Sequence, residues 1–169
     1  MESYLPHSRG FESALMFNSD AIHYYNYTAS PSMNYVFSPP TGNVTVINFD
    51  PVDLLVGVEN TPFELGTDFI GRYSSELFTD RAMNEIERNN KESEKPLFLY
   101  LAFQSVHVPH VEPPSYLFGD EDEYKLDNTS THVRYHFGRT LIAMDRSIAR
   151  LFRHIHAQEL DESTLVVVA

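Results

Sequence analysis

Between Tyr73 and Lys91 apolar residues fall at Tyr73, Leu77, Phe78, Ala82 and Ile86, with Glu, Arg, Asp and Asn filling the positions between. Spacing of three and four predicts an amphipathic helix with one face buried. The charged stretch from Asn89 to Lys95, followed by Pro96, ends that pattern. From Leu97 to Phe103 every residue is apolar apart from the phenol of Tyr100, which predicts a strand buried on both faces of a parallel sheet. Pro109 forbids its regular continuation. Phe137, Leu141, Met144, Ile148, Leu151 and Ile155 then recur at helical spacing and predict a second long helix from about His132 to His156. The β-branched run Thr164–Ala169 predicts another buried strand. Helix, strand, helix, strand in this order predicts a right-handed βαβ unit.

The flanking segments are less regular. Tyr4 to Tyr27 is aromatic and turn-rich and reads as loop. Val44–Phe49 and Val52–Val58 are β-prone and separated by Asp50-Pro51, which predicts a short hairpin. VEPPSYLFGDEDEYKLDNTS, after the first strand, reads as a long surface connection.

Composition narrows the function classes. With 169 residues, 42% of them hydrophobic, the chain has enough apolar surface for one packed domain. A formal charge of -12, with no window that gathers Lys and Arg into a stripe, argues against nucleic acid and anionic membranes as partners. No apolar run approaches the ~20 residues of a membrane-spanning helix, and MESYLPHSRG has no signal-peptide core. Cysteine is absent, which removes disulfides, thiolate metal sites and an unmodified cysteine nucleophile. Three N-x-[ST] sequons, at Asn26, Asn43 and Asn128, lean toward glycosylation in a secreted or lumenal setting.

The candidate chemistry lies where the first predicted strand ends, in FQSVHVPH. Ligands of open α/β sheets bind beyond the carboxyl ends of the strands, so Gln104, Ser105 and His107 stand where a site is expected, with Gln104 and Ser105 as residues that fix the loop and His110 as a rim residue. His132 and His136, four apart, could present two imidazoles on one helix face, but no third ligand stands at telling spacing. That pair, and His154 with His156 near a helix C-terminus, are read as solvated surface. Asp120–Glu123 lacks the ligand order and glycine of an EF-hand and reads as a solvated acidic turn. Arg9-Gly10 reads as a tight turn with a surface arginine.

PLFLYLAFQSVHVPHVEPPSYL resembles the strand-and-loop segment of sulfatases, particularly the arylsulfatase B-like branch, in which an apolar strand ends in a short polar motif centred on a histidine, then proline and P-x-x-Y-L. Tyr4–Phe11 is similar to the segment after that family's metal-side lysine and histidine, and Tyr135 with Ala143-Met-Asp145 is similar to its helix before the next active-site strand. The resemblance implies an alkaline phosphatase-like α/β fold, a partial and mainly parallel mixed sheet flanked by helices, and one catalytic domain of which residues 1–169 are the central part, truncated at both ends.

It further implies hydrolysis of sulfate esters, sulfated glycans among them, by a formylglycine nucleophile and a calcium ion whose ligands lie outside this chain. Only one functional residue carries over: His107, as a catalytic and substrate-binding histidine that hydrogen-bonds an ester oxygen as imidazolium or as neutral N–H. The chain has no cysteine, no C/S-x-P-x-R motif, no early Asp-Asp pair and no Asp-Asn-Gly after Ala169, so by itself it is expected to be inactive. The resemblance also implies a lysosomal, secreted or cell-surface address. Two other readings compete: a non-catalytic sulfatase-like binding or structural protein that has lost its nucleophile, and a phosphoesterase of the same fold, which would need a two-metal His and Asp set.

Overall fold

The computed structural model of the chain describes residues 5–19, 22–28, 35–37, 45–47, 52–58, 61–127 and 131–169. Two compact units account for it: residues 1–72 with 107–109, and residues 73–106 with 110–169.

The first unit is built on short antiparallel strands: β1 (Ser13–Phe17), β2 (Tyr35–Phe37), β3 (Thr45–Ile47), β4 (Leu54–Val58) and β5 (Glu64–Leu65). β4 lies between β1 and β5, with Ser13 opposite Val58 and Phe17 opposite Leu54. β2 and β3 form a separate antiparallel pair. Two expectations are corrected here. The stretch from Tyr4 to Tyr27 is not all loop, because Ser13-Ala-Leu-Met-Phe17 is a strand. It lacks β-branched residues, and its ladder partner lies far along the chain, so local propensity gave no sign of it. The segments around β3 and β4 do not pair with each other either; β3 pairs with β2 and β4 with β1. Cross-strand packing, not closeness in the chain, selects partners. Tyr4, Val44, Asn48 and Phe49 lie outside the described residues. Before β1, a 3₁₀ turn over Pro6–Arg9 closes at Gly10, whose φ of 93° suits glycine; Arg9 is exposed, as its turn reading required. Ile22, Tyr24, Tyr27 and Leu54 form this unit's buried core.

The second unit is helical. α1 (Ser74–Glu92), α2 (Asp120–Asp127) and α3 (His132–Ala157) succeed one another along the chain, with the two long helices within a residue or two of their predicted spans. Thr131 caps α3 by accepting the Arg134 N–H. α1 and α3 pack against each other in parallel: Asp80 pairs with Arg150, and ten residues on, Asn90 donates to Gln158. Parallel helices joined by a long apolar segment are the arrangement that α/β crossovers produce.

Small residues are among those buried on both helices. Ser75, Thr79 and Ala82 on α1, and Thr140, Ala143 and Ser147 on α3, are all buried. The hydroxyls of Thr79, Thr140 and Ser147 donate to carbonyls one turn back, so they are buried with their hydrogen bonds made. The apolar stripe read from the sequence of α3 is displaced from this seam: Phe137 and Leu141 are exposed and only Ile155 of that stripe is fully buried.

The two predicted strands require correction. Neither Leu97–Phe103 nor Thr164–Ala169 belongs to a ladder, and no parallel pair or βαβ unit occurs among the described residues. Phe98 is 77% exposed and Leu165 89%, where both were expected inside. Their composition suits a sheet interior, but a strand forms only beside neighbours that receive its N–H and C=O groups. The surface connection after His110 is also more ordered than expected: it contains a 3₁₀ turn at Ser115–Leu117 and the whole of α2.

Two apolar runs open to water should drive self-association. Sedimentation of the purified chain is expected to show concentration-dependent association that Phe98→Lys with Val167→Lys reduces; unchanged association in that double variant would place the sticky surface elsewhere.

Candidate functional site

Within the helical unit, the polar tip of the apolar run is gripped by the first two residues of α1. Ser74 and Ser75 are both fully buried. Ser74 Oγ donates to Gln104 Oε1 at 2.7 Å, and Ser75 Oγ shares a 2.7 Å hydrogen bond with Ser105 Oγ. Gln104 and Ser105 therefore fix the loop, as read from the sequence. Paired hydroxyls where a helix begins are the one local signal that could have pointed to Ser74 and Ser75.

In the strand unit, His107 is exposed and Tyr24 is its anchor. The Tyr24 phenol, itself fully buried, donates to the His107 carbonyl at 2.8 Å. No sequence signal pointed to Tyr24. It stands on a tight turn, Ile22–Thr28, that is stabilised at every corner. Asn26 Oδ1 accepts from both the N–H and the hydroxyl of Thr28, an Asx turn. Tyr27 sits at φ 57°, a left-handed conformation rare for an aromatic residue. It is held there by its N–H to His23 O, its carbonyl to Asp53 N–H and its phenol to Arg72 O. Burial pushes the Tyr27 phenol up to about 12, opposed in part by the Arg72 charge. His23 turns Nδ1 toward the Tyr25 N–H at 3.2 Å, a bond that needs an unprotonated nitrogen, and burial lowers its pKa.

The His107 ring has a defined polarity. Its Nδ1 lies 2.8 Å from the Val108 carbonyl oxygen. A carbonyl can only accept, so Nδ1 carries the hydrogen, and Nε2 is a lone pair in the neutral ring and a donor only in the imidazolium. Of the two forms expected to hydrogen-bond an ester oxygen from Nε2, this orientation leaves the imidazolium.

The remaining sequence candidates fall in varied settings. His110 packs edge-on against Phe137 with centroids 5.7 Å apart. His132 and His136 are not merely two solvated side chains. Their Nε2 atoms are 2.9 Å apart, and His136 Nδ1 lies 3.0 Å from Glu112 Oε2. Arg139 pairs with the same carboxylate and stacks 3.8 Å from the centre of the Phe118 ring. The helical pair was visible in the sequence; Glu112 and Arg139 were not, because the connection brings the carboxylate in from outside the helix. His156 is exposed and meets Asp161 at 2.9 Å. Asp120–Glu123 is not a turn but the start of α2, where Asp122 accepts from the Gly119 N–H and pairs with Arg146. Among the described residues no three His, Cys, Asp or Glu side chains converge as a metal site. Their donor set thus does not fit the oxygen-rich shell of calcium. Asn26 is exposed; Asn43 and Asn128 lie outside the described residues.

A serine-anchored polar loop after an apolar segment, in a chain whose long helices run parallel, is an arrangement in keeping with an α/β protein. The Sulfatase family profile matches residues 4–169, and the chain belongs to the Sulfatase family, with its α/β fold. Among solved structures it is similar to the crystal structure of Ps i-CgsB, with a TM-score of 0.61 and 20% identity over 94% of this chain. The same figures hold for Ps i-CgsB in complex with k-i-k-neocarrahexaose. The chain spans 32% of the length of those proteins. No helix among the described residues is long and apolar enough to cross a membrane.

Removing the phenol in Tyr24→Phe leaves the His107 carbonyl without that donor and should cost about 1 kcal/mol, seen as a lower urea midpoint; an unchanged midpoint would show the bond to be dispensable. His23 gives a pH dependence of definite sign. Its folded pKa lies below the ordinary 6.5, so its contribution to stability is intact above about pH 6.5 and is lost as the pH falls through the lowered value. The acid decline of the urea midpoint should be shallower in His23→Gln than in the parent chain, and equal slopes would show that His23 does not contribute.

Proposed function

We propose that these residues serve a sulfuric ester hydrolase, in which His107 lines the sulfate pocket and the remainder acts as scaffold. The family match over residues 4–169 carries this reading. In it, His107 as the imidazolium donates a hydrogen bond from Nε2 to the bridging or leaving oxygen of the ester, where negative charge grows as the S–O bond breaks. The carbonyl of Val108 orients the ring, and Tyr24 fixes the backbone that carries it. A formylglycine nucleophile and calcium are the remaining parts of this proposal. Neither is supplied by these residues.

The substrate proposed is a sulfated glycan, supported by the neocarrahexaose complex of the structural neighbour. Glycosylation at Asn26, Asn43 and Asn128, and a lysosomal, secreted or cell-surface address, go with this reading and are supported by the sequons alone. Within it, residues 1–169 are the central part of one catalytic domain. The competing reading is a sulfatase-like protein that has lost its nucleophile and is kept for binding alone.

The coding sequence on either side of Met1 and Ala169 separates the two. The hydrolase requires C/S-x-P-x-R upstream and Asp-Asn-Gly downstream, whereas their absence or substitution supports the binding protein. The 169-residue chain is expected to release no sulfate from an aryl sulfate above the buffer rate, and measurable turnover would overturn that. In a longer active form, His107→Gln should lower kcat by about 10²-fold or more; a loss confined to KM would make His107 a binding residue only.

A further inference from the structure

The cluster at the start of α3 has the parts of a metal chelate. His132 and His136 stand one helical turn apart, with Nε2 atoms 2.9 Å apart and ring centroids 4.2 Å apart. His136 Nδ1 is 3.0 Å from Glu112 Oε2. A carboxylate in that position accepts the Nδ1 hydrogen and fixes the ring, so His136 Nε2 is the bare nitrogen that accepts from His132 Nε2–H, and a bound ion would replace that hydrogen. Glu112 is itself held in place by Arg139, which is almost fully buried and lies over the Phe118 ring. The Tyr135 ring meets His136 edge to face at 5.4 Å. One imidazole is thereby positioned from two sides, by Glu112 and Tyr135, and the other, His132, is open to solvent.

The spacing selects among metals. With metal–imidazole bonds of about 2.0–2.1 Å, two nitrogens 2.9 Å apart subtend about 90° at a shared ion. That is the angle of cis positions in square-planar or octahedral coordination, the preference of Cu(II) and Ni(II), and narrower than the tetrahedral angle zinc favours in structural sites. No third His, Cys, Asp or Glu completes the set among the described residues, so water fills the other positions and the ion is exchangeable.

We propose that His132 and His136 form a two-imidazole chelate for a divalent transition metal of the copper and nickel class, with Glu112 as the positioning carboxylate. None of its donors is His107. Because Glu112 belongs to the connection before α2 and the imidazoles to the first turns of α3, a bound ion ties that connection to the helix.

The test is copper binding to the untagged 169-residue chain, measured by equilibrium dialysis and by electron paramagnetic resonance. One equivalent of Cu(II) should bind with a two-nitrogen hyperfine pattern, and Ni(II) should bind more weakly. His132→Gln, an exposed first-turn change that leaves the helix content seen by circular dichroism intact, should abolish the two-nitrogen pattern. His136→Gln should do the same, and His154→Gln and His156→Gln should retain it. Glu112→Gln should weaken binding by about 10- to 100-fold. The chelate is overturned if no equivalent binds, or if the two-nitrogen pattern survives His132→Gln; unaltered affinity in Glu112→Gln overturns the positioning role.

Discussion

Close parallel contact between two helices is the constraint on which the helical unit depends. Both helices bury serine, threonine and alanine beside larger side chains such as Leu77, Ile86 and Ile155, and the hydroxyls of Thr79, Thr140 and Ser147 are satisfied one turn back along their own helices. Buried hydroxyls contribute little apolar area, so they specify distance and register more than they supply stability. The register in turn has a functional consequence. With α1 held, its first two serines are in place to grip Gln104 and Ser105, and the polar loop starts from a fixed point.

How much was legible in the sequence differs by the range over which each feature is determined. The spans of α1 and α3 were readable because their periodicity is local and their caps lie at the chain positions that end the pattern. The buried face of α3 was not. Leu141 and Phe137 suggested the stripe, while Thr140 and Ala143 form it, because the neighbouring helix rewards small size where a sequence pattern rewards hydrophobicity. Strand pairing was least legible: β4 chose β1 over the nearer β3, and two runs of strand-like composition joined no ladder at all. The α/β class was nevertheless evident from the motif around His107, and the family match bears it out.

The candidate site shows the same division. Gln104 and Ser105 could be named as loop-fixing residues from their place in the chain. Their partners could not, since both contacts bridge thirty residues. Tyr24 was further out of reach, as its phenol meets a backbone carbonyl eighty-three positions away. Side chains that act on backbone atoms leave no complementary residue type elsewhere in the chain to match them with. The Nδ1 contact of His107 likewise depends on loop conformation, and it is this contact that decides which ring nitrogen faces outward.

Along α3, Arg139, Arg146 and Arg150 pair with Glu112 of the connection, Asp122 of α2 and Asp80 of α1. On α1, Arg81, Arg88 and Lys91 are likewise matched to glutamates of their own helix. Among the described residues these six basic side chains are thus paired with internal carboxylates, Arg81 and Arg88 sharing Glu85. A polyanion arriving from solution meets a chain of formal charge -12, in which these cations already face the chain's own carboxylates. Any affinity for such a ligand must come from short-range contacts at the point of binding, and it will not gain the faster encounter that long-range attraction gives.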